Sequence, residues 1–385
     1  MQFKNKRNMM SWVGALALLS ILTCVALPAQ ALETDAREAI VIEFDTGTVL
    51  YKKEADTVMY PASMTKLMTM YMLFDRLKKG SLSLEDTFPV SEEAWRKGGS
   101  KMFVKVGDRV KVEDLIRGII VQSGNDATIV VAEGLGGNEA AFAQMMTEKA
   151  HEIGMTSTTF RNASGWPNPE HVTTARDLAT LAIRTIRDFP EYYHYYSELS
   201  FTYNNIKQGN RNPLLYKDMG ADGLKTGHTE ASGYGLVGSA KRGDRRIIVV
   251  ANGFSSVKDR AAGGERLIDW GFRAWNNYAL FGAGDKVTDA QVWLGDAETV
   301  PVVIKEPLVV TIPREARAKM KVAVSYDEPL PAPIATGDKV ATLVVSAPGA
   351  TSVSVPLFAG SDVGQLGPVG RLGAAMRYLL WGGKP

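Results

Sequence analysis

Three short stretches carry side chains whose types and spacing suit acyl-transfer chemistry. Residues 60–69 read Tyr-Pro-Ala-Ser-Met-Thr-Lys-Leu-Met-Thr. A helix is predicted over 63–77 from the apolar positions Met64, Leu67, Met68, Met70, Leu73 and Leu77, with Gly80 as its stop. Ser63 stands at its start, and Lys66, three residues on, shares its face. A serine hydroxyl is a weak nucleophile and needs a base beside it. Lysine can be that base where burial or nearby cations lower its pKa. The helix N-terminus also favours a developing alkoxide. The spacing alone has little specificity. Ser255 and Lys258 repeat it, and Ser63 could equally be a helix cap.

Residues 122–127 read Gln-Ser-Gly-Asn-Asp-Ala, between two predicted helices. A polar loop there can point Ser123 and Asn125 into a cleft, the first to relay a proton and the second to hold a carbonyl. An ordinary helix–helix turn fits the same residues. Residues 223–229 read Gly-Leu-Lys-Thr-Gly-His-Thr, on a predicted strand. Lys225 brings a positive charge and Thr226 a carboxylate-binding hydroxyl. Gly227 would let a substrate backbone approach the strand closely. His228 has no carboxylate or second histidine nearby in sequence, so it reads as a neighbour of the site or as a plain surface residue.

The elements that must position these groups divide in two. Strand-like runs at 39–44 and 49–51 precede helical patterns at 112–121, 126–134, 138–153 and 174–187; strands return at 222–227, 234–240 and 246–253, before a helix near 259–275. That order predicts an α/β (α+β) domain with one sheet built from distant segments and helices on its faces. Arg242-Gly243-Asp244 spells an adhesion tripeptide, but a hairpin turn explains it better. From about Lys286 to Gly360 helical periodicity gives way to short β-rich runs, which predicts a small all-β domain. The division expected is a leader over 1–31, a catalytic domain over 32–283, the β domain over 286–360 and a tail over 364–385.

Composition narrows the rest. One cysteine and four histidines exclude a disulfide scaffold, and no metal or cofactor is expected. Lys4, Lys6 and Arg7 precede an apolar run from Trp12 to Leu27 and an Ala29-Gln30-Ala31 cleavage pattern, the form of an export signal. Formal net charge is +2, and without those three cations the rest carries −1, which removes the electrostatic support for nucleic-acid binding. Cys24 lies within the leader, so the mature chain would be cysteine-free, as suits an oxidising compartment. In the tail, Val369, Leu372, Met376, Leu379 and Leu380 fall on one helical face, with Trp381 as an interface residue. This predicts an amphipathic helix lying on a membrane.

Taken together, Ser-x-x-Lys on a helix start, Ser-x-Asn in an interhelical loop and Lys-Thr-Gly on a strand resemble the penicillin-binding, active-site-serine superfamily. With the flanks Leu-Ile-Arg-Gly-Ile-Ile-Val at 115–121, Thr-Ala-Arg-Asp-Leu at 174–178 and Asp-Trp-Gly-Phe-Arg at 269–273, the whole mature chain is similar to the low-molecular-mass D-alanyl-D-alanine carboxypeptidases. The resemblance implies that Ser63 attacks the bond between the two terminal D-alanines of a peptidoglycan stem pentapeptide while Lys66 takes its proton. It implies an oxyanion hole from the N–H groups of Ser63 and His228, a proton relay through Ser123 near Lys225, and an acyl contact from Asn125. Thr226 and Arg260 would bind the terminal carboxylate, although Arg260 also reads as a solvated helix residue. β-Lactams would acylate Ser63. The implied location is the periplasm, peripheral to the outer face of the inner membrane. A β-lactamase on the same scaffold would need a water-activating carboxylate, and no Glu-x-x-Leu-Asn stretch supplies one. An endopeptidase of the same superfamily would cut cross-links within the wall, but the β domain and the amphipathic tail argue against it. A catalytically idle wall-binding protein would not need the intact set of Ser63, Lys66, Ser123, Asn125, Lys225 and Thr226.

Overall fold

The computed structural model describes residues 32–381. The leader predicted over residues 1–31 therefore lies outside the described residues.

Five antiparallel strands form the main sheet, in the order Val49–Lys53, Glu38–Glu43, Arg245–Phe254, Gly233–Arg242, Ala221–Thr229. Edge and centre do come from distant segments: Glu38–Glu43 pairs with Arg245–Phe254 across about half the chain. Alternation along the strands sorts their side chains between two faces. Ile40, Ile42, Val237, Ile248 and Val250 join the helical core. On the opposite face, Val41, Leu236 and Ile247 press against the helix Val257–Ala274, at positions where Gly264 and Gly271 leave room for them. Gly243 and Asp244 form the two-residue hairpin turn, and Arg242 is held by Asp269 and by the Phe272 ring. Asp269, Gly271 and Phe272 thus serve packing.

The helix Lys66–Lys78 lies at the centre of the helical cluster. An amphipathic reading underestimates it. Leu67, Met68, Met70, Tyr71, Met72, Leu73, Phe74 and Leu77 are all buried, which leaves almost no solvent face. Lys66 is fully buried among them.

The strand Trp275–Phe281 follows the helix Val257–Ala274 without a break and, among the described residues, pairs only with Leu308–Pro313. Its Asn277 ties the two regions together. Asn277 Nδ2 donates to Glu43 Oε1 (2.7 Å), and Thr311 Oγ1 donates to Asn277 Oδ1 (2.9 Å). Glu43 is fully buried, and its other oxygen accepts from the Thr46 N–H. Beyond this latch, a six-stranded sheet surrounds Val300, Val302, Leu343 and Leu357. The strand Lys286–Trp293 belongs to it and is weakly marked in sequence, because polar residues separate its buried Ala290 and Val292. A helix spans Pro368–Trp381 with Val369, Leu372, Met376 and Leu379 exposed.

Candidate active site

Ser63 occupies a 3-10 turn, Ala62–Thr65, that runs directly into the helix beginning at Lys66. The cap positions are Pro61 and Thr65, and neither side chain caps, so Ser63 is not a helix cap. The turn is tight enough to put Ala62 at a φ of 47°. Gly165 lies beneath it. A Cβ there would stand 1.7 Å from the Ala62 carbonyl oxygen, and the Gly165 φ of +80° also favours glycine.

Lys66 Nζ contacts three groups: Ser63 Oγ at 2.8 Å, Asn125 Oδ1 at 2.8 Å and the Ser164 carbonyl at 2.7 Å. The orientation of the Asn125 amide is fixed, because its Nδ2 donates to the Gly98 carbonyl (2.9 Å). Asn125 Oδ1 and Ser164 O can only accept. A neutral amine therefore spends both N–H bonds on them and turns its lone pair to the Ser63 hydroxyl. Burial, then the positive charge of Arg211, pulls the Lys66 pKa down to about 7. The neutral amine is thus well populated at neutral pH.

Ser123 lies between the helices Val112–Ile120 and Asn125–Gly136, and Asn125 is the first residue of the second. The cap position is Gly124, so neither residue is spent on capping. Ser123 is buried with φ at 58°, a conformation that a plain turn serine seldom takes. The next residue explains the loop's rigidity. Asp126 accepts from the backbone N–H groups of Met102, Phe103, Val104 and Ala127 and so ties the segment after Gly98 to the same loop.

The strand Ala221–Thr229 forms the facing wall. Lys225 is buried, and its pKa is held well below the usual ammonium range by burial and then by Lys66, Arg211 and Arg260. Gly227 is needed for a different reason from the one its motif suggests. What approaches it is the turn that carries Ser63, since a Cβ there would meet the Pro61 carbonyl at 2.9 Å and Ala62 at 3.2 Å. His228 is exposed and stacks on Tyr234, its cross-strand partner, with ring centroids 3.8 Å apart. Arg260 lies beyond the same ring, its guanidinium 5.8 Å from the Tyr234 centroid. It is not a solvated helix residue: it is 7% exposed, and its Nε has no hydrogen-bond partner among the described residues. A buried guanidinium with a free N–H beside Arg211 is arranged to receive an anion.

Sequence motifs missed several of these residues. Ser164 acts through its main chain. Its loop is knotted by Asn162 Oδ1, which accepts from the N–H groups of Ser164, Gly165 and Trp166. His171 is buried behind the turn that carries Ser63. Its Nδ1 accepts from the Arg161 N–H, so its Nε2 carries the proton and donates to Thr65 Oγ1 (2.8 Å). Burial, then the charge of Arg161, lowers its pKa to about 4. The unfolded chain binds a proton here below about pH 6.5 and the folded chain does not until about pH 4. We expect folding stability to fall as pH drops through that window, and His171→Gln to flatten the fall in urea titrations.

A serine hydrogen-bonded to a buried lysine, with a Ser-x-Asn loop at a helix start and a Lys-Thr-Gly strand, finds its counterpart in known proteins. The family model described as D-alanyl-D-alanine carboxypeptidase matches residues 25–255. The chain belongs to the D-alanyl-D-alanine carboxypeptidase family of serine peptidases. A second model, the C-terminal domain of penicillin-binding protein 5, matches residues 275–365, beginning at the strand that carries Asn277. D-alanyl-D-alanine carboxypeptidase DacC of Escherichia coli is 37% identical over 364 residues, which is 92% of this chain and 91% of that protein. The structure of penicillin-binding protein 5 from Haemophilus influenzae superposes with a TM-score of 0.78 at 35% identity, over 87% of this chain and 99% of that one. A penicillin-binding protein of Listeria monocytogenes in its ampicillin-bound form matches with a TM-score of 0.58 at 31% identity, over 63% of this chain and 99% of that one.

Proposed function

We propose that the protein is an exported D-alanyl-D-alanine carboxypeptidase that trims peptidoglycan stem pentapeptides through an acyl-enzyme on Ser63. The observation that carries this reading is the Lys66 amine 2.8 Å from Ser63 Oγ, with two acceptor-only groups, Asn125 Oδ1 and the Ser164 carbonyl, to take both N–H bonds of its neutral form. Ser63 Oγ adds to the carbonyl between the terminal D-alanines as Lys66 accepts its proton. The oxyanion is received by the N–H groups of Ser63 and His228; each such donor is worth about 10²–10³ in rate. Collapse breaks the peptide bond, and the proton held on Lys66 reaches the departing D-alanine amine through the Ser123 hydroxyl. Asn125 holds the acyl part. Arg260 and Thr226 take the terminal carboxylate, which makes the action exo. Water then hydrolyses the ester.

A β-lactam acylates the same serine, but its amine stays tethered. The group that the 162–166 loop turns toward Lys66 is a carbonyl rather than a carboxylate, which favours a lasting adduct over β-lactamase turnover. The test is D-alanine release from a stem pentapeptide and persistent labelling by a fluorescent penicillin, both lost in Ser63→Ala. Rapid penicillin destruction without D-alanine release would overturn the reading in favour of a β-lactamase.

Residues 1–31 act as the cleaved leader, 32–283 as the catalytic domain and 286–360 as the β domain, with 364–385 as the membrane contact. Among the described residues no helix is long and apolar enough to cross a membrane. The exposed Val369, Leu372, Met376 and Leu379 instead suit a helix lying on the outer face of the inner membrane. Deleting 364–385 is expected to move the protein from the membrane to the soluble periplasmic fraction; unchanged fractionation would refute the anchor.

A further inference from the structure

The six-stranded sheet of the β domain ends in two unlike edges. One is the short strand Leu330–Pro331, with Pro329 before it and Pro333 after it. Proline has no N–H to give a further strand, so this edge is blunted. The other is the strand Lys321–Ser325, which pairs on one side with Lys339–Ser346 in an unbroken register, from Lys321↔Ser346 to Ser325↔Thr342. Among the described residues no strand pairs with its other side. It has no proline and no bulge, so every second N–H and C=O along that side is set out in the regular spacing of a ladder.

The side chains repeat the pattern. Val322 shares a face with Met320, Val324 and Tyr326. Those three pack against the β-domain core, whereas Val322 is 44% exposed. A strand laid along the open side would satisfy the ladder and cover Val322.

The flanks point to the occupant. Lys319 and Lys321 stand at the start of the strand, and Asp327 and Glu328 lie just past its end. All four are exposed, and none forms an ion pair among the described residues. A second copy laid parallel would set Lys321 beside Lys321, which is unfavourable. Turned about a two-fold axis through Ala323, it fits. Val322 of one copy then faces Val324 of the other, Lys321 faces Ser325, and Lys319 lies toward Asp327. The strand thus complements itself in both its apolar and its charged positions, as a two-fold contact requires.

We propose that Lys321–Ser325 is a self-association edge, through which two copies of this chain pair antiparallel and join their β-domain sheets. Such a short pairing is a small contact, so the association is transient and is best read by covalent capture. The inference concerns the β domain and does not depend on the reaction at Ser63.

The experiment uses the full-length protein with its one cysteine removed by Cys24→Ser. Ala323→Cys or Val322→Cys is added, whole cells are oxidised, and the disulfide-linked dimer is measured on gels without reductant. Directly opposed residues have Cα atoms about 5 Å apart and diagonal ones about 7–8 Å, against a limit of about 7 Å for a disulfide. Ala323→Cys is therefore expected to give about tenfold more dimer than Val322→Cys, whose partner residue is Val324. Adding Val322→Lys to Ala323→Cys should bring the yield down to the Val322→Cys level, because it sets a second ammonium beside Lys321 and against an apolar partner. Labelling by fluorescent penicillin shows that each variant is folded. If Ala323→Cys does not label, the double variant Lys321→Cys, Ser325→Cys, whose residues face each other across the two-fold, takes its place. No dimer from a folded variant, equal yields at 323 and 322, a dimer that survives Val322→Lys, or a disulfide to a different protein overturns the proposal.

Discussion

Lys66→Ala is expected to lower the acylation of Ser63 by about a thousandfold, in the upper part of the range for loss of a general base. Removing the amine leaves Ser63 without an acceptor for its proton, and it leaves Asn125 Oδ1 and the Ser164 carbonyl without their donor. Lys66→Arg should fail nearly as badly, since a guanidinium keeps its proton at any working pH. The pH profile gives the sign. Protonated Lys66 has no lone pair to offer, so acylation should fall as pH drops below the lysine's pKa of about 7 and approach a plateau above it. Lys225 lies within the same field, so the apparent value belongs to the pair. Stopped-flow acylation by a labelled penicillin between pH 5 and 9 checks both, with the range set to span about two units on each side of the transition. A profile flat across that range would mean that Lys66 does not give up its proton in the reaction.

Gly165→Ala should be nearly as damaging without touching any reacting atom. The added methyl would stand 1.7 Å from the Ala62 carbonyl oxygen and 2.9 Å from Thr65 Oγ1, so the nucleophile turn must move. The φ of +80° adds strain of its own. A displacement of about 1 Å in a positioned nucleophile can cost about a hundredfold in rate. The loop has little room to yield, since Asn162 fixes Ser164, Gly165 and Trp166 together. We expect kcat for D-alanine release to fall by about two orders of magnitude, with a lowered Tm. Wild-type kcat in a folded Gly165→Ala protein would show that the turn is not held from below.

Candidate site side chains at fixed spacing were legible in the sequence. Ser63, Lys66, Ser123, Asn125, Lys225 and Thr226 each sit in a motif whose order survives any insertion between motifs. The main sheet was legible too, because Ile40, Ile42, Ile248 and Val250 alternate with residues of the opposite face. Groups that act through the backbone or across long separations were not legible. The Ser164 carbonyl leaves no mark in residue type, since any residue would supply it. His171 meets Thr65 across 106 residues, and Asn277 meets Glu43 across 234. Gly227 was visible as a site of close approach, but only the folded chain reveals that Pro61 and Ala62 make the approach. Arg260 could be placed only by resemblance, because nothing in its helix marks it as the buried member.

The central claim is that Ser63, activated by Lys66, carries the acyl group. Mass spectrometry of the protein after brief exposure to penicillin, followed by proteolysis, tests it most directly. The account predicts one penicilloyl adduct per chain, located on the peptide that contains Ser63 and absent from Lys66→Ala on the same timescale. An adduct on Ser123 or on any other residue, or undiminished labelling of Lys66→Ala, would contradict it.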